Sequence, residues 1–278
     1  MQKGYRRKKV NLQFNKRALF KLSMVFVFLL CILFLLIFIF IRMPLYFSTA
    51  KIDRDGRIVV SVYNFYDLRI VKAVVPPETE LKLAMQRGSL RAKGLPRLVE
   101  TEKLPAQFVV DSLMKSFHLP IDYWEKDMPT LAKLAVLLNS LRGVREENVN
   151  LEDSQVLKKK VLADGEDGYI ISGSMPISLL GLFSDPKMSS GQMAVRIVNQ
   201  TGKDNNWLND IFTILEVLGV KSVPPRLDEK SDIDCIVRTS NKYILSRLTS
   251  IFNCELDSSP PEVFDIELII GEKFFKRF

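Results

Sequence analysis

The chain has 278 residues, with 40 Lys and Arg against 32 Asp and Glu, one His, a formal charge of +8 and 47% hydrophobic residues. That composition excludes a disordered chain, and three cysteines are too few for a disulfide framework. The basic excess is local: residues 1–42 hold nine of the cations and no acid, leaving 31 cations against 32 acids, so the charge does not mark the rest of the chain as nucleic-acid binding.

Residues 22–41 (LSMVFVFLLCILFLLIFIFI) are uncharged, and the tail of residues 1–21 before them carries eight cations and no acid. An apolar run of that length predicts a transmembrane helix over 22–42 with the tail cytoplasmic and everything beyond it extracytoplasmic. A cleaved signal peptide is the competing reading, because Ser48-Thr49-Ala50 resembles a cleavage site, but the run is longer and bulkier than a signal-peptide core.

Beyond the anchor, residues 58–63 and 68–75 read as a hairpin around Asn64-Phe65-Tyr66-Asp67. Residues 80–104 are basic and broken by Gly88, Gly94 and Pro96, which predicts a surface loop with a short helix at 81–85. Arg87, Arg91, Lys93 and Arg97 in it are a candidate anion-binding loop, weighed against a solvated charge run. A helix is expected over 106–117, ended by Pro120, then a strand from Ile121 to Trp124. A second helix over 131–141 has its stripe at Leu131, Leu134, Leu137, Leu138 and Leu141. Residues 143–190 are polar and irregular, with Tyr169-Ile170-Ile171 strand-like and 177–183 a short apolar plug.

From residue 193 the pattern is plainer. A strand over 193–199, the turn Gln200-Thr201-Gly202, a helix over 207–218, an edge strand over 220–227, a strand over 233–237, a helix over 242–252 and a last strand over 263–270 make an α/β unit. The expected fold is therefore α/β, with one N-terminal transmembrane helix followed by two extracytoplasmic α/β domains at 50–183 and 193–274, joined by a linker at 184–192. Cys235 and Cys254 are read as buried free thiols, with pairing the alternative.

Residues 193–274 resemble the LytR C-terminal domain family through Val195-Arg196-Ile197-Val198-Asn199-Gln200-Thr201-Gly202, Leu218-Gly219-Val220, Ile233-Asp234-Cys235-Ile236-Val237 and the ending Asp265-Ile266-Glu267-Leu268. The resemblance implies an accessory binding module without catalytic residues. Asn199, Thr201 and Gly202 are candidates for a ligand contact or, physically, for holding the turn.

Residues 50–145 resemble the extracytoplasmic domain of the LytR/CpsA/Psr family, through Val74-Val75-Pro76-Pro77-Glu78-Thr79 and the segments at 109–113 and 119–123. Members of that family transfer glycopolymers from a polyprenyl-phosphate carrier to the cell wall. The resemblance implies an arginine at position 77 to grip a pyrophosphate and an aspartate at 78 to help hold a divalent metal, and this chain has Pro77 and Glu78 instead.

His118 stands alone, with no metal-ligand spacing and no Gly-x-Ser-x-Gly or Walker A loop elsewhere in the chain. The expected function is a non-catalytic binding or scaffolding role in cell-wall assembly, with no catalytic residue, cofactor or metal. Its partners would be the lipid bilayer and cell-wall glycopolymer or other envelope proteins, and not nucleic acid. The alternatives are a divergent transferase using a polyprenyl-pyrophosphate-linked donor and a bitopic division or assembly protein.

Overall fold

A computed structural model describes residues 23–31, 34, 43–53, 55, 57–154, 156–172, 177–191, 193–261 and 263–278. It overturns the expected fold class in its first part. Residues 23–31 are helical and exposed, but among the described residues no helix is long and apolar enough to cross a membrane. Residues 1–22 and much of 32–42, on which the tail and the rest of the anchor were placed, lie outside the described residues.

Residues Pro44–Phe278 form one compact unit. Its first half is built on the sheet β6-β1-β2-β3-β7: β1 is Tyr46–Ile52, β2 Ile58–Asn64, β3 Arg69–Val75, β6 Tyr123–Trp124 and β7 Arg145–Asn150. Two short hairpins, β4 (Glu80–Lys82) with β5 (Ser89–Arg91) and β8 (Leu157–Val161) with β9 (Asp167–Ile171), flank it. Its helices are α1 (Leu95–Glu102), α2 (Ala106–Phe117), α3 (Thr130–Ser140), α4 (Ile177–Phe183) and α5 (Pro186–Ser190). The expected hairpin of β2 and β3 forms, with Ile58 opposite Val75 and Asn64 opposite Arg69, so that Asn64 belongs to the strand and the loop is shifted by one residue to 65–68.

Several elements differ from the sequence reading for identifiable reasons. The Ser48-Thr49-Ala50 stretch lies in β1, with antiparallel β2 on one side and parallel β6 on the other, and all three residues are buried. The helix expected at 81–85 is half of the β4–β5 hairpin, because Met85 and Gln86 adopt positive φ and turn the chain there. Pro96, taken as a loop breaker, occupies the first turn of α1, where proline lacks only an amide hydrogen that no intrahelical acceptor would use. The leucines of 131–141 do not supply the buried face of α3; Ala132, Ala135 and Asn139 do.

The second half carries the sheet β11-β10-β14-β12-β13, with β10 at Ala194–Gln200, β11 at Lys221–Leu227, β12 at Cys235–Arg238, β13 at Glu255–Asp257 and β14 at Ile266–Gly271. Helices α6 (Asn209–Val217), α7 (Lys242–Phe252) and α8 (Glu272–Arg277) complete it, the last of them beyond the expected end of the pattern. β10 pairs in parallel with both neighbours, and β12 with β13 is a third parallel pair, joined through α7. Because Ile236 faces Glu255 in that pair, the residues just before them are brought together, and Cys235 and Cys254 are disulfide-bonded with Cα atoms 4.8 Å apart. The free-thiol reading is corrected by this crossover.

The two halves share one continuous apolar core rather than packing as separate domains across a linker. Phe117, Leu119 and Ile121 from the first half belong to the same cluster as Leu248, Phe252 and Phe274 from the second. The expected linker contains α5, whose N-cap Asp185 is completely buried. His118 ends α2 in a left-handed conformation and reaches Asp210 at the start of α6, Nε2 to Oδ1 2.8 Å, so the lone histidine ties one half to the other.

Candidate functional site

Two adjoining hollows lie around the short strand β6, and larger ones lie beside Pro76 and Pro77, beside Arg91 and beside Lys159. Pro120 ends the run from α2, Leu119 and Ile121 are buried, and β6 then pairs with β1 for two residues, Tyr123 opposite Thr49 and Trp124 opposite Ala50. This leaves Trp124 half-buried between two adjoining hollows. One, of about 260 Å³, is apolar and is walled by Ile52, Ile58, Leu95, Val99, Leu104 and Val109 from β1, β2, α1 and α2. The other, of about 210 Å³, is polar and is lined by Gln107, Asp122, Tyr123, Thr249, Ser250 and Asn253. Ala106, Trp124 and Asp127 border both, so the two form one trough with an apolar and a polar arm.

The floor of the polar arm is an ionic network that holds the halves together. Asp122 accepts from Ser48 N (2.6 Å) and Ser48 Oγ (2.8 Å) and pairs with Arg247 on α7. Arg247 Nε also donates to Asp185 Oδ2 at 3.2 Å, and its guanidinium lies 5.1 Å from the centre of the Tyr46 ring. Tyr243 Oη donates to the same Asp185 oxygen at 2.7 Å, while Lys187 N donates to Oδ1 at 2.9 Å. Burial pushes the Asp185 carboxyl up and the Arg247 guanidinium down from their ordinary values, but two carboxylates in contact keep the arginine charged. The arginine is thus committed inward. Of the residues lining the polar arm none is a cation, and Lys126 is the one cation lining the apolar arm. Ser250 Oγ in the polar arm has no hydrogen-bond partner among the described residues.

The residues singled out from the sequence lie elsewhere. Asn199 is buried at the end of β10 and spends its side chain on its own loop: Nδ2 donates to Lys203 O (3.1 Å) and Asn205 Oδ1 (2.8 Å), and Oδ1 accepts from Thr201 N (3.1 Å) and Thr201 Oγ1 (2.7 Å). Gly202 follows at φ +74°, a conformation that favours glycine. This geometry is that of a turn clasp, the physical reading of Asn199, Thr201 and Gly202.

Of the four basic-loop residues Arg91 and Lys93 converge on Glu78, while Arg87 and Arg97 stand apart. Arg87 pairs with Glu102, Arg91 pairs with Glu78 and Asp164, Lys93 Nζ lies 2.9 Å from Glu78 Oε1, and Arg97 is exposed with no partner among the described residues. The Lys93 hydrogen bond, with Arg91 behind it, holds the Glu78 carboxyl below its ordinary range against the opposing effect of burial. Glu78, where the resembled family places its metal-binding aspartate, is therefore neutralised by two side chains of this chain. Among the described residues no three His, Cys, Asp or Glu side chains group to hold a metal ion.

Sequence reasoning passed over Trp124 and Arg247. Arg247 did leave a signal: it interrupts the buried stripe Ile244, Leu248, Ile251 of α7, and a charge on an apolar face requires a partner. Trp124 left none, because the trough exists only once α1, α2 and α7 meet at β6. Family models, curated proteins and solved structures were compared with this chain, and none matches it.

Proposed function

We propose that this chain is a non-catalytic protein of the cell envelope that binds a neutral glycan segment in the trough at Trp124. The trough carries the reading. Its polar arm offers an amide, hydroxyls and carboxylates beside the half-buried Trp124, the combination that takes a sugar ring by stacking and hydrogen bonding, and its apolar arm takes the less polar face or an attached aliphatic group. A phosphate is a poor occupant, because the one arginine beneath the trough is committed to Asp122 and Asp185.

Two further observations support it. Pro77 supplies no cation, and Glu78 is already paired with Arg91 and Lys93, which leaves the pyrophosphate and metal chemistry of the resembled transferases without its residues here. The Cys235–Cys254 disulfide suits an oxidising, extracytoplasmic compartment.

The experiment is a calorimetric titration of residues 44–278 with purified, unphosphorylated cell-wall glycan fragments, a readout that does not depend on the tryptophan being replaced. Saturable binding that Trp124→Ala weakens at least about tenfold is expected, the loss of one stacked aromatic contact. Absence of binding, or binding indifferent to Trp124, would count against the proposal. Mg²⁺-dependent release of glycan from a polyprenyl-pyrophosphate-linked donor would replace it with the transferase alternative.

A further inference from the structure

Helix α3 is turned inside out relative to its composition. Its inner face is small and polar, Ala132, Ala135 and Asn139, the last donating from Nδ2 to Ala135 O at 2.8 Å. The leucines face outward: Leu131 is 37% exposed, Leu137 60% and, one residue past the helix, Leu141 79%. Leu134 and Leu138 are half-buried beside them. Spacings of three and four residues gather these side chains on one face.

The segment 128–145 that carries that face holds cations and no acid. These are Lys133, Arg142 and Arg145, and all three are exposed. Among the described residues Lys133 and Arg145 meet no carboxylate, and Arg142 reaches only Asn139 Oδ1 at 3.4 Å. Elsewhere on the unit Arg57, Arg87, Arg91, Arg238 and Arg277 each contact a carboxylate, whereas the exposed Arg97, like the three cations of this segment, does not. A leucine face bordered by unpaired cations has the chemistry of a helix that lies in a lipid interface, with its apolar side chains among acyl chains and its cations at acidic headgroups.

We propose that α3, with Leu141 and the flanking Lys133, Arg142 and Arg145, is a docking surface for an anionic lipid bilayer. An apolar partner protein would satisfy the leucines without using the three cations, whereas a membrane surface uses both. None of these residues lines the trough, so the surface stands apart from glycan binding and leaves the trough free.

The test uses residues 44–278, which form a compact unit with its own core and lack the apolar segment at 22–41. Co-sedimentation is measured with vesicles of phosphatidylcholine alone and of equal parts phosphatidylcholine and phosphatidylglycerol. Binding to the anionic vesicles at least about tenfold stronger than to the neutral ones, and weakened by salt, is expected from three cations at the surface. The double substitution Leu137→Ser and Leu141→Ser should lower that binding at least about tenfold without changing the circular dichroism spectrum, because both side chains are exposed. Trp124→Ala should leave vesicle binding intact, which separates failure of this surface from failure of the trough. The proposal is overturned if the vesicles do not retain the protein, if the double variant binds as well as the parent, or if light scattering shows a dimer that the leucine substitutions dissociate.

Discussion

Arg247 and Arg91 each bind more than one acid, and they differ in what surrounds those acids. Around Arg247 the side chains are sealed, with 5% of the arginine, 1% of Asp122 and none of Asp185 accessible, and the network joins β1, the segment before β6, the cap of α5 and α7. Around Arg91, itself 10% accessible, the acids are wet, with 37% of the Glu78 side chain and 50% of Asp164 accessible, and the partners come from the segment before β4 and the turn between β8 and β9. The same charges therefore carry different weight. A buried ion whose partner is removed has no water to turn to, whereas an exposed one is resolvated.

Arg247→Ala should accordingly destabilise residues 44–278 by about 3–5 kcal/mol in denaturant unfolding at neutral pH, the cost of leaving buried carboxylates unpaired. Arg247→Met, which restores the volume but not the charge, still strands Asp122 and should recover only part of that loss. A loss below about 1 kcal/mol for Arg247→Ala would put its network in the same class as the exposed one.

A third ionic group sharpens the comparison because its acid is sealed and its arginine is not. Arg277 Nη1 donates to the buried Asp111 at 3.1 Å and Arg277 Nε to Asp234 at 2.9 Å. Burial pushes the Asp111 carboxyl up to about 6, with Arg277 opposing the shift. A folded-state pKa above the unfolded one means that the proton stabilises the fold: the contribution is complete below about pH 4 and is lost as pH rises through about 6. Asp111→Asn, which is neutral at every pH, should match the parent near pH 4 and gain on it by up to about 3 kcal/mol near pH 7.5. Unfolding curves at the two pH values check this. An Asn variant that loses more at pH 7.5 than at pH 4 would show that the Arg277 pair outweighs burial.

The smallest effect belongs to the exposed cluster. Arg91→Ala should shift the denaturant midpoint far less than Arg247→Ala, because its carboxylate partners are open to water. A shift as large as that of Arg247→Ala would erase the contrast.

The same distinction between near and distant contacts explains what the sequence revealed. The β2–β3 hairpin, α2 and the alternation of the second half were legible because each is written in local periodicity and turn residues. β7, with the sequence Arg-Glu-Glu-Asn-Val-Asn, was not, because an edge strand made largely of polar residues has no apolar alternation and is defined by its pairing with β3. The face of α3 was misread because leucine spacing marks an apolar stripe without saying what covers it. The disulfide and the unity of the core depend on crossovers that bring Cys235 to Cys254 and Phe117 into one cluster with Phe274. Of the site, the turn at Asn199 was readable from local chemistry, whereas the trough at Trp124 is made by residues far apart in the chain.

The central claim is that the trough binds a glycan without regard to phosphate. Its most direct test is a side-by-side calorimetric titration of residues 44–278 with one cell-wall glycan fragment in two forms, with and without a terminal pyrophosphate. Affinities within about threefold of each other, both lost in Trp124→Ala, are the predicted result. A pyrophosphate form bound at least about tenfold tighter, with the advantage abolished by Arg91→Ala, would contradict it and restore the phosphate clamp that Pro77 and Glu78 argue against.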